Sequence, residues 1–201
     1  MRSIFFGIIA AVALIVPVQS NAADWAIDAS HSNVSFKVRH MMVSNVRGEF
    51  GTFSGEITYD PKSPSKTRAT VSIDATSIDT HDEKRDGHLK SPDFFDTAAH
   101  PTITFESSKA KKSGKNGLEV HGKLTLRGKT RPVLLRVTDI TNEVTDPWGN
   151  TKIGATLTTT INRQDFGVSW NKALDKGGVV VSDEVQITIE LQLNKKQPKE
   201  A

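Results

Sequence analysis

The stretch VSFKVRH, residues 34–40, decides the fold class of this chain. Its apolar residues Val34, Phe36 and Val38 alternate with polar ones, which is the period-two pattern of a β-strand with one buried face. The same alternation recurs along the chain and predicts that most of it forms strands of this kind. These further strands are predicted at residues 46–59, 69–73, 103–105, 118–126, 133–137, 153–161 and 185–193.

The alternation changes phase between Phe50 and Phe53, so a bulge near Gly51 is predicted to turn both rings to the same side of the sheet. Turn-forming residues separate the strands. At least eight one-sided strands favour either a closed barrel or a two-sheet sandwich, and a closed barrel leaves no exposed sheet edges. The chain is therefore predicted to be all-β.

Residues 81–90 break the alternation and predict one short helix. Thr80 followed by Glu83 matches a capping box at its start, and Ser91 before a proline marks its end. Two phenylalanines follow directly, and we expect them to anchor the helix to the core.

The amino terminus, residues 1–22, has the pattern of a secretory signal peptide. Arg2 supplies the positive charge, and residues 4–16 form an apolar run that is too short to span a bilayer, for which about 20 residues are needed. Cleavage is predicted after Ala22, with the next bond as the near alternative, leaving residues 23–201 as a single secreted domain. The chain has no cysteine, so this domain must fold without disulfide bonds.

The composition excludes some classes of partner. The 26 basic and 23 acidic side chains give a net charge of +3, and no basic stripe interleaved with aromatics appears, so no nucleic-acid partner is predicted. Once the signal is removed, roughly a third of the residues are apolar, which is a small share for a soluble domain. A barrel wrapped around a ligand needs fewer apolar side chains than a barrel that fills its own interior.

Three histidines and one arginine are candidates for a site. His40 has the parity of the apolar residues in its strand, so it is either a hydrogen-bonded core residue or a polar group lining a cavity; a catalytic pairing with an acid stays open. His81, Arg85 and His88 share one face of the predicted helix. These three side chains could form a solvated helix face, a clamp for a ligand head group or a pair of metal ligands. The metal site is disfavoured because the two histidines lie about 10.5 Å apart along the helix axis, too far to share one ion. No metal, cofactor or catalytic residue is predicted.

The interior of the barrel is not determined by this pattern. An eight-stranded barrel is just wide enough either to be filled by side chains or to hold one small ligand. Four lysines before a turn, Lys109, Lys111, Lys112 and Lys115, indicate a solvated hairpin tip or, alternatively, a transient contact with anionic lipid.

The sequence motifs of the chain resemble those of the YceI-like polyisoprenoid-binding proteins. The matching motifs occur in the same order over nearly all of the mature sequence. These blocks are WAID (25–28), HS (31–32), VSFKVRH (34–40), GEF (48–50), FSG (53–55), IDT (78–80), RDGHLKS (85–91), DFFD (93–96), PTITFES (101–107), GKLTLRG (122–128) and RQDFG (163–167). Together they are specific, whereas any one alone would be weak.

The resemblance implies a lipocalin-like, eight-stranded antiparallel barrel with one short helical insertion, located in the periplasm. Its cavity would hold an isoprenoid, such as a quinone or polyprenyl compound, or another long-chain amphiphile. The candidate lining residues are Phe36, Val38, Phe50, Phe94, Phe95, Phe105 and Phe166. The head-group candidates are His40, Arg85 and His88. The leading hypothesis is a carrier that sequesters the lipid. The alternatives are an enzyme acting on such a lipid through His40, and a filled interaction barrel that is monomeric or dimeric.

Overall fold

The computed structural model describes residues 23–175 and 177–197, which contain twelve strands, one α-helix and four 3-10 turns. The predicted signal peptide lies outside the described residues. The strands are β1 (Ala23–Ile27), β2 (Asn33–His40), β3 (Ser44–Phe50), β4 (Phe53–Tyr59), β5 (Arg68–Asp74), β6 (Ile78–Asp79), β7 (Thr102–Lys112), β8 (Leu118–Leu126), β9 (Lys129–Thr138), β10 (Val144–Thr145), β11 (Thr151–Asn162) and β12 (Val181–Lys195). The helix is α1 (Glu83–Lys90), and the 3-10 turns are Ala29–His31, Pro64–Lys66, Ala75–Ser77 and Arg163–Phe166.

The strands close into an antiparallel barrel. The ring runs β11-β9-β8-β7-β5-β4-β1-β12, and pairing of β11 with β12 along nearly their whole lengths closes it into eight strands. The first three wall strands are each broken once, as β1 and β2, β3 and β4, and β5 and β6. The prediction of an all-β, eight-stranded antiparallel barrel with one short helical insertion is therefore confirmed.

The pairing register defines two ends of the barrel. His40 at the end of β2 pairs with Val181 at the start of β12, and we call this the upper end. The opposite end, the base, carries the β7–β8 hairpin with Lys112 paired to Leu118. At the base Trp25 is 1% exposed and packs with apolar side chains of three other strands, so this end is closed by a large aromatic ring.

The phase change in the second wall strand has the predicted consequence. The chain leaves the strand conformation at residues 51–52, between β3 and β4. Phe50 and Phe53, on either side of this break, are both buried within one core cluster. Both rings thus face the interior, as the sequence predicts.

The predicted helix is present, but its predicted cap is wrong. The N-cap is Asp82, whose carboxylate accepts a hydrogen bond from the backbone N–H of Arg85 at 3.1 Å. The Thr80 hydroxyl instead bonds to Asp86 and to the Arg85 guanidinium, because Thr80 belongs to the connection that follows β6. The helix begins at Glu83 rather than at His81, so His81 does not share a helix face with Arg85 and His88 as predicted. It ends at Lys90, as predicted.

Asp28 lies in the break between β1 and β2 and gathers donors from three segments. The Ser30 hydroxyl donates to it at 2.7 Å, Gln192 donates at 2.9 Å, and His31 Nδ1 lies 3.0 Å away. Lys152 approaches to 3.5 Å from β11. The hydrogen bond from Ser30, supported by those from His31 and Gln192, holds the pKa of Asp28 far below its ordinary value of 3.8.

The substitution Asp28→Asn is expected to lower the free energy of unfolding near neutral pH by about 1–2 kcal/mol, since a neutral amide cannot accept all of these hydrogen bonds. Because the folded pKa lies below the unfolded one, the carboxylate stabilises the fold above about pH 4, and this contribution is lost as the pH falls through the folded pKa. Urea unfolding at about pH 7 and about pH 3 measures both effects. The exposed Glu106→Gln is the control, and a loss that stays equal at both pH values contradicts the assignment.

Candidate functional site

The barrel encloses a cavity of about 380 Å³. It extends from Tyr59 near the base to Trp170 at the upper end, and its walls are almost entirely aliphatic and aromatic side chains. The volume falls within the range of small-molecule binding sites, which are typically apolar with a few polar groups. The interior of this barrel is therefore hollow rather than filled.

Two phenylalanines leave the lumen open by lying against glycines on the neighbouring strand. A Cβ built on Gly48 would sit 2.5 Å from the ring of Phe36, and one built on Gly122 would sit 2.4 Å from the ring of Phe105. Each ring therefore occupies the place of the side chain that glycine lacks. The rings cover the wall of the cavity and do not cross it.

Three aromatic side chains cluster at the upper end, where the cavity meets solvent. The ring centroids of His88, Phe94 and Trp170 lie between 5.0 and 5.3 Å apart, with His88 edge-on to both partners. The His88 side chain is 42% exposed and also borders the cavity, while Phe94 is buried. We call this group the mouth cluster, because it borders the cavity and the solvent together.

Polar groups that line the cavity at this end have unused hydrogen-bonding capacity. Arg85 donates from Nε and Nη2 to the hydroxyl and carbonyl oxygens of Thr80, both at 2.7 Å. Within the described residues, Arg85 Nη1 and the His40 ring make no hydrogen bond, whereas His88 Nε2 lies 2.9 Å from an Asp93 carboxylate oxygen. Arg85 and His40 thus have hydrogen-bonding groups free at the upper end of the cavity.

Arg163 is a buried clamp on the long connection between β11 and β12. Its side chain is 5% exposed and all of its nitrogens donate hydrogen bonds. The acceptors are the backbone carbonyls of Val168, Trp170, Val181 and Ser182 and the carboxylate of Asp183, at 2.6–3.2 Å. Burial lowers the pKa of Arg163, and the nearby Asp183 carboxylate opposes that shift. The guanidinium holds the connection that carries Trp170 into the mouth cluster.

The structure places all of the candidate lining and head-group residues on this one cavity, whereas His81, the other histidine considered from the sequence, does not line it. Those lining it are Phe36, Val38, His40, Phe50, Arg85, His88, Phe94, Phe95, Phe105 and Phe166. Their roles toward a ligand stay predictions. Sequence reasoning missed Trp170, for which no periodic signal exists, and missed the role of Arg163, although the RQDFG block contains it.

Two further findings concern the described part of the chain. Nowhere in residues 23–175 and 177–197 do three His, Asp, Glu or Cys side chains gather as metal ligands. No helix among these residues is long and apolar enough to cross a bilayer.

Comparisons with known proteins place the chain. The model of the YceI-like domain family matches residues 25–193. A UPF0312 protein of Vibrio cholerae serotype O1 is 35% identical over 170 residues, which cover 84% of this chain and 89% of the relative. The crystal structure of BcnA from Burkholderia cenocepacia is 30% identical, with a TM-score of 0.73 and coverage of 83% of this chain and 98% of BcnA.

A polyisoprenoid-binding domain from Saccharophagus degradans, implicated in plant cell wall breakdown, has the same fold. Its TM-score is 0.61 at 18% identity, and the alignment covers 86% of this chain and 98% of that domain. The family match over most of the chain, together with the Vibrio relative, shows that this protein belongs to the YceI-like family.

Proposed function

We propose that this protein is a periplasmic carrier that binds the apolar chain of an isoprenoid or similar long-chain amphiphile inside its barrel. The observation that carries the proposal is the hollow interior, with a mostly apolar wall and all of its lining arginine and histidine side chains at the upper end. This is the polarity pattern of a molecule with a long apolar tail and a polar head.

Burial of an apolar chain in this cavity is sufficient to account for binding. Each methylene-sized group that leaves water for an apolar site contributes about 0.8 kcal/mol, so a chain of several isoprene units gains enough to offset the cost of ordering it. The closed base at Trp25 and the continuous wall keep the tail away from water. The likeness in fold to a polyisoprenoid-binding domain supports the same class of ligand.

The head group is proposed to lie at the upper end beside Arg85 and His40. An arginine with an unused Nη1 donor suits an oxygen-rich head group such as a quinone carbonyl or a phosphate. The periplasmic location is part of the proposal and is supported by the signal-peptide pattern of residues 1–22.

The enzyme hypothesis has less support than the carrier. A catalytic histidine is normally oriented by a hydrogen-bonded acid, and within the described residues His40 has no such partner. The filled-barrel alternative conflicts with the cavity. We therefore retain the carrier as the proposed function.

Organic extraction of the protein purified from periplasm, followed by mass spectrometry, tests the proposal. A co-purifying amphiphile in roughly equimolar amount is the expected result, and delipidated protein should take up an added polyprenyl compound from detergent micelles. In a parallel arm, His40→Ala is expected to weaken binding with no change in the chemistry of the recovered lipid. A protein that is purified without lipid and does not bind added amphiphile would refute the carrier function. A chemically modified lipid that is recovered from the wild type but not from His40→Ala would favour the enzyme.

A further inference from the structure

Three exposed apolar side chains form the turn between β2 and β3 at the upper end. Met41 is 45% exposed, Met42 is 51% exposed and Val43 is 76% exposed. We call residues 41–43 the apolar tip. The other exposed large apolar side chains among the described residues are Val144 and Trp148, in the β10–β11 segment at the base.

The backbone of the apolar tip is one that methionine rarely adopts. The N–H of Val43 donates to the carbonyl oxygen of His40 at 3.1 Å, closing a tight turn. Met41 and Met42 have φ values of 49° and 62°, the left-handed region in which such turns strongly prefer Asn-Gly. Bulky apolar residues at a turn position whose backbone conformation prefers Asn or Gly are typical of a functional site.

The apolar tip is directly joined to the rim of the cavity. His40, the first residue of the turn, lines the cavity, and the N–H of Met41 donates to the carbonyl oxygen of Val180 at 2.7 Å. Val180 lines the cavity as well. A surface that contacts the tip therefore also lies beside the upper end of the cavity.

The charge around the apolar tip is basic. Lys37, Arg39 and Arg47 lie on the two strands that carry the tip, and no Asp or Glu occurs in residues 29–48. On the neighbouring β12, the Asp183 carboxylate is engaged by Arg163 and Gln164, while Glu184 is exposed. The 171–180 connection that lies against the tip also exposes Lys172 and Asp175, whose charges offset each other. An apolar edge with a basic border is the combination that binds anionic lipid surfaces, whereas a second protein copy would have to supply matching acids.

We propose that the apolar tip inserts into the surface of an anionic phospholipid bilayer and so places the cavity beside the membrane from which the amphiphile is loaded. This inference rests on the proposed carrier function, whose ligand resides in membranes. The lysine cluster that the sequence suggested for lipid contact lies on the β7–β8 hairpin at the base, at the other end of the barrel.

The test is co-sedimentation of the purified mature protein with vesicles of phosphatidylcholine, with and without about a third of phosphatidylglycerol. The triple variant Met41→Asn, Met42→Gly, Val43→Ser is expected to lower binding to the anionic vesicles about tenfold or more. Because Asn-Gly is the preferred sequence for this turn, the variant is expected to fold at least as stably as the wild type, so lost binding cannot reflect unfolding.

Two control variants remove comparable groups at the base, Trp148→Ser and the pair Lys112→Ser with Lys115→Ser. Both are expected to bind anionic vesicles as the wild type does. The proposal is overturned if the triple variant binds anionic vesicles as well as the wild type does. It is also overturned if either control variant loses that binding. A third contradicting result is a wild-type protein that does not bind vesicles and sediments as a dimer, while the triple variant sediments as a monomer. The tip would then contact a second copy of the chain.

A separate measurement distinguishes failure of this inference from failure of the carrier function. Uptake of a polyprenyl compound from detergent micelles does not require a bilayer, so the triple variant is expected to retain it. If no protein takes up the compound but vesicle binding still depends on the tip, the carrier function fails and the membrane contact stands. If uptake is normal and the tip is irrelevant to vesicles, the membrane contact fails alone.

Discussion

The substitution Arg163→Leu is expected to lower the free energy of unfolding by about 4 kcal/mol or more. The guanidinium is 5% exposed on its side chain and donates to four backbone carbonyls and one carboxylate. Leucine has a similar apolar stem but no donor, so buried carbonyls lose a partner, each at about 1–3 kcal/mol where water cannot replace it.

Local opening of the connection between β11 and β12 distinguishes an arginine that holds this connection in place from one that is merely buried. Val168 and Trp170 are held through their carbonyl oxygens, so the connection between β11 and β12 should open before the barrel does. Urea unfolding gives the global loss, and limited proteolysis between residues 164 and 182 reports the local opening. Arg163→Lys retains the charge without the planar fork and should recover only part of the stability.

The matched control is Arg131→Leu, at an exposed arginine whose side chain makes a single hydrogen bond among the described residues, to the carbonyl oxygen of its neighbour Thr130. It is expected to change the free energy of unfolding by less than about 0.5 kcal/mol. Equal unfolding midpoints for Arg163→Leu and Arg131→Leu would show that the buried hydrogen bonds do not hold the connection.

The strand pattern was predictable because every wall strand has one face toward the interior and one toward solvent. Period-two alternation reports that asymmetry directly, and the phase change at Gly51 even located the break between β3 and β4. The helix cap was mispredicted because Thr80 and Asp82 are both good caps, and which of them lies at the first turn depends on where β6 ends.

The candidate site was predictable only in part. Parity placed His40 inward, and helical spacing placed Arg85 and His88 together, because both rules are local. The role of Arg163 depends on carbonyl groups that the fold brings to it from up to 19 residues away, and no periodic pattern records this. Whether the interior is hollow depends on how each ring is turned, as with Phe105 over Gly122.

The substitution Ala155→Trp is expected to reduce the amount of bound amphiphile at least about tenfold while leaving the ligand-free protein folded. Ala155 lies on the inner face of β11, paired with Leu191, and borders the cavity. An indole at this position projects into the lumen and takes volume that the ligand needs. Ligand loading is measured by extraction and mass spectrometry, and stability by urea unfolding of delipidated protein.

The sign of the stability change separates a hollow barrel from a filled one. In a filled core, adding an indole forces strain and costs about 1–3 kcal/mol or more. In the cavity of about 380 Å³, the indole fills empty space and gains dispersion contacts. Delipidated Ala155→Trp should therefore unfold at the same urea concentration as the wild type or a higher one. Thr158→Trp, on the exposed face of the same strand, is the control and should retain the ligand. If Ala155→Trp retains the ligand while Thr158→Trp loses it, the amphiphile binds outside the barrel and the carrier mechanism is wrong.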